Sequence, residues 1–200
     1  IVSRIRKILS IKKVGHFGTL DPIATGLMLV AIGKATKLFP FFLRYAKIYE
    51  GRIRLGISTD TYDSEGQFTS KESRDYPDKK KLAASMKRFE GEIEQVSPPF
   101  SAKKYKGRPL YELARRRKIY KLKKNRVNVD FFRLKKYNPP LLDFTVKCSS
   151  GTYIRSLAHN LGQHLGCGAH LIQLRRTNIG DFSITESYTL EEIKKLTEQG

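Results

Sequence analysis

Residues 14–26, with the sequence VGHFGTLDPIATG, restrict the possible folds of this chain more than any other stretch. Three glycines, one proline and two threonines fall within it, which excludes a regular helix or a central strand. Asp21 is its only carboxylate, and Pro22 biases Asp21 towards an extended backbone. We expect a shaped loop that aims Asp21 from a stiff backbone, as suits a catalytic group. An ordinary Asp-Pro turn is the alternative.

The charge balance of the chain predicts a polyanionic partner. Lys and Arg number 39 among 200 residues, against 19 acidic residues, which gives a formal net charge of +20. An excess of this size indicates nucleic acid first and an anionic membrane surface second. No run of about 18 apolar residues occurs, so we expect no membrane-spanning segment. With nucleic acid as the favoured partner, we expect no membrane partner.

The two cysteines, Cys148 and Cys167, are too few for a disulfide framework in a chain of this length. We therefore expect a reducing cytoplasm and two structural thiols. Cys167 and His170 offer half of a metal site, but no second pair completes a tetrahedral ligand set. The sequence predicts no metal.

Hydrophobic periodicity predicts several helices. Apolar residues at helical spacing indicate a basic helix at the N-terminus, a surface helix over residues 78–90 and a helix after residue 153. Asp78 is the expected cap of the second, and Thr189 opens a last helix with a capping box. Residues 34–45 predict a helix that Pro40 kinks or interrupts.

Alternation of apolar and polar residues predicts strands between these helices. Residues 47–56 form one strand with Tyr49, Ile53 and Leu55 on one face, and residues 27–32 form a buried strand. Two further segments alternate and predict a pair of antiparallel strands. Their expected inward-facing residues are Val127, Val129 and Phe131 on the first strand and Phe144, Val146 and Cys148 on the second. The whole pattern indicates the α+β class.

Arg155 and the basic residues 103–124 are two polar features that call for a partner or a reason. Arg155 lies in the first turn of its helix, where the helix dipole disfavours a cation, so we expect a carboxylate partner. The Lys- and Arg-rich residues 103–124 suit contact with phosphates, although a solvated charged face is the more usual reason for such a run.

Four segments resemble the motifs of the TruB family of tRNA pseudouridine synthases. Residues 15–26 match its G-H-x-G-T-L-D-P-x-A-T-G loop at every fixed position. The other matches are Lys47-x-Tyr49, the S-x-G-T-Y-I-R motif at 149–155 and the G-x-x-A-x-x-x-x-L-R-R strand at 166–176. The resemblance implies a pseudouridine synthase fold: a central mixed, mostly antiparallel sheet, flanked by helices, with a catalytic cleft.

The resemblance also implies a role for each matched residue. Asp21 is the catalytic carboxylate, Arg155 pairs with it, and Tyr49 stacks on the target uracil and is the favoured acceptor of its C5 proton. Substrate-binding roles fall on His16, which fills the space left by the flipped base, and on Lys37 near the RNA backbone, Tyr153 in the site wall and Leu174 in the uracil pocket. Asp60 is expected either to orient site groups or to shape a turn.

By this resemblance the substrate is the uridine at position 55 in the T loop of tRNA. The reaction needs no cofactor, and the expected protein is a cytoplasmic monomer whose residues 1–200 form one catalytic domain. By the same resemblance, we expect that domain to lack the family's first strand and its small C-terminal RNA-binding domain. A non-catalytic tRNA-binding or tRNA-folding protein and a guide-RNA-dependent pseudouridine synthase are the alternatives.

Overall fold

The structure is a computed structural model, and it describes residues 1–98, 104–105, 108–109 and 124–199. The helices are α1 (Val2–Leu9), α2 (Phe39–Leu43), α3 (Lys79–Lys87), α4 (Ile154–Leu165) and α5 (Leu190–Glu198), with 3-10 turns at Gly33–Leu38 and Ile184–Glu186. The strands are β1 (Val14–His16), β2 (Ala24–Gly26), β3 (Val30–Ile32), β4 (Lys47–Leu55), β5 (Gly91–Val96), β6 (Lys104–Tyr105), β7 (Arg108–Pro109), β8 (Lys124–Asn138), β9 (Leu141–Cys148), β10 (Ala169–Ile179) and β11 (Phe182–Ser183).

Within these residues, seven strands form one mixed sheet. Its order is β11-β10-β4-β9-β8-β5, and every neighbouring pair is antiparallel. β2 adds to β10 in parallel, at the same edge as β11. This architecture confirms the α+β class and the mostly antiparallel central sheet.

Helices α3 and α4 cover one face of the sheet. Leu82 and Met86 of α3 and Leu157 and Leu161 of α4 are fully buried, and they join one core with strand residues such as Phe144. Each such side chain contributes about 1.5–3 kcal/mol by leaving water. The Asp78 side chain caps α3 by accepting from the Lys81 N–H at 2.7 Å, as predicted.

The pairing of β8 with β9 confirms the predicted antiparallel pair but corrects one residue. The register shifts between Val129 and Phe131, so the alternation that buries Val127 and Val129 does not continue. Phe132 therefore lies in the core, and the Arg133 guanidinium lies 4.3 Å from the centre of the Phe131 ring. A bulge of this kind leaves no trace in apolar spacing.

Two further predictions are adjusted near the N-terminus. The strand predicted over residues 27–32 is limited to Val30–Ile32, and Ile32 is exposed. The helix predicted over residues 34–45 is divided, as expected, because a 3-10 turn ends where α2 begins and Pro40 lies in the first turn of α2. The sequence also predicts a helical face made of Leu110, Leu113 and Ala114. That segment and most of the basic run at 103–124 lie outside the described residues.

Candidate active site

A cleft of about 280 Å³ opens beside the edge formed by β2, β10 and β4. Four of the predicted site residues line it: Asp21, Tyr49, Tyr153 and Leu174. They come from a loop, two strands and the start of α4, which are far apart in sequence. The fold therefore gathers at one point most of the residues that the motifs singled out.

The loop that carries Asp21 is tied down at both ends. Asp21, Pro22, Ile23 and Ala24 form a turn closed by the Ala24 N–H donating to the Asp21 carbonyl at 2.8 Å, with Pro22 in the position that its fixed φ favours. The following strand β2 then pairs with β10. The loop is thus neither a helix nor a central strand, as its composition predicted, and its geometry holds the Asp21 backbone.

Gly26 ends this loop where no side chain fits. Its φ of +104° is in the left-handed region, and a Cβ there would lie 2.3 Å from the Arg176 carbonyl oxygen. The close approach lets the Leu27 N–H donate to that same carbonyl at 2.8 Å. The glycine thereby fixes the loop against β10.

Arg155 holds the Asp21 carboxylate in a fork. Its Nε donates to Asp21 Oδ2 at 2.9 Å and its Nη2 donates to Asp21 Oδ1 at 3.0 Å. The Arg155 side chain is 4% exposed, whereas that of Asp21 is 28% exposed. The guanidinium is therefore buried, while the carboxylate that it binds remains accessible from the cleft. The two hydrogen bonds fix the plane of that carboxylate.

A second carboxylate, Asp63, contacts the same guanidinium, and sequence reasoning missed it. The Arg155 Nη1 donates to Asp63 Oδ2 and to the Thr61 carbonyl, each at 3.2 Å. Asp60, which was considered for this role, instead accepts from the Gln67 N–H at 2.9 Å and shapes the turn. The five donors of a buried arginine exceed what one carboxylate satisfies, which is the signal that could have pointed to a second acid.

Tyr49 on β4 lies directly opposite Arg176 on the neighbouring strand β10. Burial raises the pKa of the Tyr49 phenol above its usual value, while the charge of Arg176 opposes part of that rise. The phenol is therefore protonated at neutral pH. No role was predicted for this arginine, although the alternation of side chains along a strand places Arg176 on the same face as Leu174.

Tyr153 is held by a side chain that the sequence did not single out. The Tyr153 N–H donates to Gln95 Oε1 at 2.7 Å, and the Gln95 amide donates back to the Tyr153 carbonyl at 3.0 Å. Gln95 is buried on β5, so this double bond anchors the start of α4 to the sheet. Leu174 is buried opposite Gly51, whose missing side chain makes room for the Phe144 ring.

Lys47 also lines the cleft, and it too was not predicted as a site residue. Its ammonium donates to the carbonyls of Leu43 at 2.9 Å and of Tyr45 at 2.6 Å. Burial, and next the charge of Arg176, lower the pKa of Lys47 from its usual value. The Lys47 ammonium therefore binds free carbonyls at the C-terminal end of α2, where the helix dipole favours a cation.

The structure does not bring His16 and Lys37 to the lining of this cleft. His16 ends β1, and within the described part of the chain its buried Nδ1 has no hydrogen-bond partner. Lys37 is exposed on the 3-10 turn. Both remain predictions for contact with RNA outside the cleft.

The described residues contain no group of three or more His, Cys, Asp or Glu side chains that could hold a metal ion. None of the described helices combines the length and apolar character needed to cross a membrane.

Comparison with known families gives two adjoining matches. Residues 6–154 match the profile described as TruB family pseudouridylate synthase (N terminal domain), and residues 155–199 match that of the tRNA pseudouridylate synthase B C-terminal domain. The boundary falls in the first turn of α4. Because β10 pairs with β2 and β4, both matched segments contribute to one sheet.

Curated relatives named tRNA pseudouridine synthase B resemble nearly the whole chain. One from Solibacter usitatus is 44% identical over 196 residues, which cover 98% of this chain and 67% of the relative. One from Francisella tularensis is 42% identical over 199 residues, covering 98% of this chain and 66% of the relative. The chain thus spans about two thirds of the length of these relatives.

Solved structures of H/ACA ribonucleoprotein complexes share the fold. An archaeal box H/ACA sRNP Nop10-Cbf5 complex aligns with a TM-score of 0.71 and 30% identity, over 98% of this chain and 49% of that one. An H/ACA RNP bound to a substrate RNA containing 2′-deoxyuridine aligns with a TM-score of 0.70 and 31% identity, over 97% of this chain and 47% of that one.

Proposed function

Because the chain belongs to the TruB family of pseudouridylate synthases, we propose that it isomerises uridine to pseudouridine in tRNA, at position 55 of the T loop. The observation that carries the proposal is the Asp21–Arg155 pair at the floor of a cleft that Tyr49 and Leu174 also line. Sequence identity is also higher to the curated tRNA pseudouridine synthases, at 44% and 42%, than to the H/ACA ribonucleoprotein structures, at 30% and 31%.

The reaction breaks the N1–C1′ bond of uridine, turns the uracil ring and rejoins C5 to C1′. One proton leaves C5 and one is gained at N1, so the oxidation state does not change and no cofactor is required. The protein must supply a carboxylate at the sugar–base junction, an acceptor for the C5 proton and a pocket that retains the free ring.

Asp21 is the proposed catalytic carboxylate. Arg155 engages one lone pair on each of its oxygens, which leaves others available to the cleft. A carboxylate whose plane is fixed by a buried fork needs little reorganisation when substrate arrives, which favours catalysis. Asp63 and Thr61 hold the far side of Arg155 and keep the fork in place.

The remaining roles concern the base. Tyr49 is proposed to stack on the uracil and to take the C5 proton, while buried Leu174 gives the pocket an apolar wall and Tyr153 forms part of its rim. The uridine must leave its stack to reach the cleft, at a cost of a few kcal/mol. His16 recovers part of that cost by occupying the vacated space, and Lys37 contacts the RNA backbone.

The partner is proposed to be the T-arm of tRNA. With a net charge of +20, binding should weaken steeply as salt is added, because counterions are released when phosphates are bound. We further propose that residues 1–200 act as one catalytic domain, that the protein is a monomer, and that it works in the cytoplasm.

Tritium release tests the proposal. A T-arm transcript labelled at C5 of uridine is incubated with the parent chain, with Asp21→Asn and with Asp75→Asn, a matched change at an exposed carboxylate. We expect release by the parent and by Asp75→Asn and none by Asp21→Asn. Release by Asp21→Asn at the parent's rate would remove the catalytic role of Asp21.

The same assay separates the alternatives. Salt-sensitive binding without release favours a tRNA-binding or tRNA-folding protein. Release that appears only when a guide RNA is added favours a guided pseudouridine synthase.

A further inference from the structure

Arg176 is a buried cation that neither the ion pairs nor the roles described above account for. It is 2% exposed, yet no carboxylate pairs with it in the part of the chain that the structure describes. A buried charge is costly unless hydrogen bonds or an opposite charge compensate for it. The direction of its bonds therefore indicates what the charge does.

Two hydrogen bonds from the Arg176 side chain go to the loop that carries Asp21. The Arg176 Nε donates to the Leu27 carbonyl at 2.8 Å, and its Nη2 donates to the Gly18 carbonyl at 3.2 Å. Gly18 precedes Asp21 and Leu27 follows it, so one guanidinium joins both ends of the loop.

The charge of Arg176 also acts on the Tyr49 phenol, whose pKa it lowers. Tyr49 and Arg176 are direct partners of an antiparallel pair, so their side chains leave the sheet on the same face. Both line the cleft that contains Asp21. The guanidinium thus binds the two loop ends, and the Tyr49 phenol lies on the same face of the sheet.

We propose that Arg176 is a positioning residue of the isomerisation, one that presents its charge to the Tyr49 phenol and binds both ends of the loop that carries Asp21. The inference rests on the proposed function, because it concerns the C5 proton that Tyr49 accepts there.

The transfer of the C5 proton to Tyr49 explains why a cation is needed beside the phenol. Tyr49 accepts a proton only as a phenolate, which forms when the hydroxyl proton passes to solvent. The C5–H bond then breaks, its electron pair returns to the uracil ring, and the proton forms a new O–H bond on Tyr49. The phenolate carries a negative charge in a buried place, and Arg176 is the cation that neutralises it.

The other groups that act on the Tyr49 oxygen oppose its ionisation. They are the Cys148 thiol on β9 and the Asp21 carboxylate on the loop, each of which makes the phenolate less favourable. Lys47, two residues away on β4, directs its ammonium to the carbonyls of Leu43 and Tyr45. Within the described residues, the charge that favours the phenolate comes from Arg176.

The pH dependence of tritium release tests the inference. Arg176→Met removes the charge, Arg176→Lys keeps it, and Arg175→Met is the matched control on the exposed face of the same strand. Release that depends on Tyr49 should rise with pH to a plateau. Loss of a nearby opposite charge should move that rise upward by about 1–3 pH units, which means about tenfold less release per unit at a fixed lower pH.

We expect a large upward shift for Arg176→Met, a smaller one for Arg176→Lys and none for Arg175→Met. If tritium release in Arg176→Met rises at the same pH as in the parent, the inference is overturned. A purely structural loss would lower release by the same factor at every pH and would leave that pH unchanged. If Arg176→Met does not fold, Arg176→Gln takes its place, because it also removes the charge, and an unshifted rise there overturns the inference.

A direct titration keeps this result separate from the proposed function. The tyrosinate absorbance of Tyr49 is obtained as the difference between each chain and the same chain with Tyr49→Phe. A parent that releases no tritium at any pH would count against the proposed function alone. An upward-shifted Tyr49 titration in the Arg176 variants would still support the inference, and an unshifted one would overturn it.

Discussion

Replacement of Asp63 by Asn tests whether Arg155 depends on two carboxylates. One Asp63 oxygen accepts from the Thr61 hydroxyl at 2.6 Å and from the Glu65 N–H at 3.1 Å, while the other accepts from Arg155 at 3.2 Å. Asn keeps the shape of the side chain but exchanges one oxygen for an NH₂ group, which can only donate. The change therefore affects charge and hydrogen bonding with little change in volume.

Neither orientation of the new amide satisfies all its neighbours. The NH₂ group meets either the Arg155 guanidinium or the Glu65 N–H, and both of these are donors. A buried polar group left unpaired costs about 1–3 kcal/mol. Because Asp21 still pairs with Arg155, we expect a loss of about 2 kcal/mol, below the roughly 3–5 kcal/mol for a buried charge left alone.

Urea unfolding at pH 7 measures this cost. With a denaturant slope of about 2 kcal/mol/M, the midpoint should fall by about 1 M. Asp60→Asn is the matched control, since Asp60 accepts one bond from Gln67 at an exposed turn and Asn accepts the same bond. We expect that control to stay within about 0.5 kcal/mol of the parent.

The expected consequence for turnover is a lower rate of tritium release in Asp63→Asn, since Arg155 loses the support on its far side. Equal urea midpoints for Asp63→Asn and the parent would refute the reasoning. An equal loss in Asp60→Asn would refute it as well, because the effect would then belong to the loop rather than to Arg155.

Three further predictions concern other parts of the structure. Burial raises the pKa of the Cys148 thiol from 9.0 to about 12, so the folded chain keeps a proton that the unfolded chain releases above about pH 9. Stability should therefore fall as pH rises from 9 towards 12, by about 2 kcal/mol at pH 10.5, and urea midpoints of the parent should approach those of Cys148→Ala. Gly26→Ala should cost more than about 2 kcal/mol in thermal unfolding, whereas Gly91→Ala, with φ +85° but open space around it, should cost less. Gln95→Met leaves the Tyr153 N–H and carbonyl without the side chain that binds both, and a loss of about 2 kcal/mol in the free energy of unfolding checks this.

The sequence predicted the fold class and the main elements because apolar spacing reports local geometry. Alternation along residues 47–56 predicted β4, and Asp78 marked the start of α3. The register shift after Val129 could not be predicted, since a bulge is set by pairing with β9 and not by β8 itself. The parallel addition of β2 to β10 is likewise a long-range contact that no local pattern encodes.

The candidate site was only partly predictable, for a physical reason. Asp21 could be singled out because it is the only carboxylate of its loop and directly precedes a proline. Asp63 and Arg176 act by satisfying other buried groups, and such bonds join positions far apart in sequence. They become visible only once the fold has placed Arg155 and the loop. The roles of Asp21, Tyr49, His16 and Lys37 in catalysis and binding stay predictions.

The most direct test of the account is nucleoside analysis of a T-arm transcript after incubation with this chain. The transcript is digested to nucleosides, and pseudouridine is separated from uridine by chromatography. The account predicts one pseudouridine per transcript, at the T-loop uridine, with the parent chain and none with Asp21→Asn. Unchanged uridine with the parent chain, under conditions in which the transcript is bound, would contradict it.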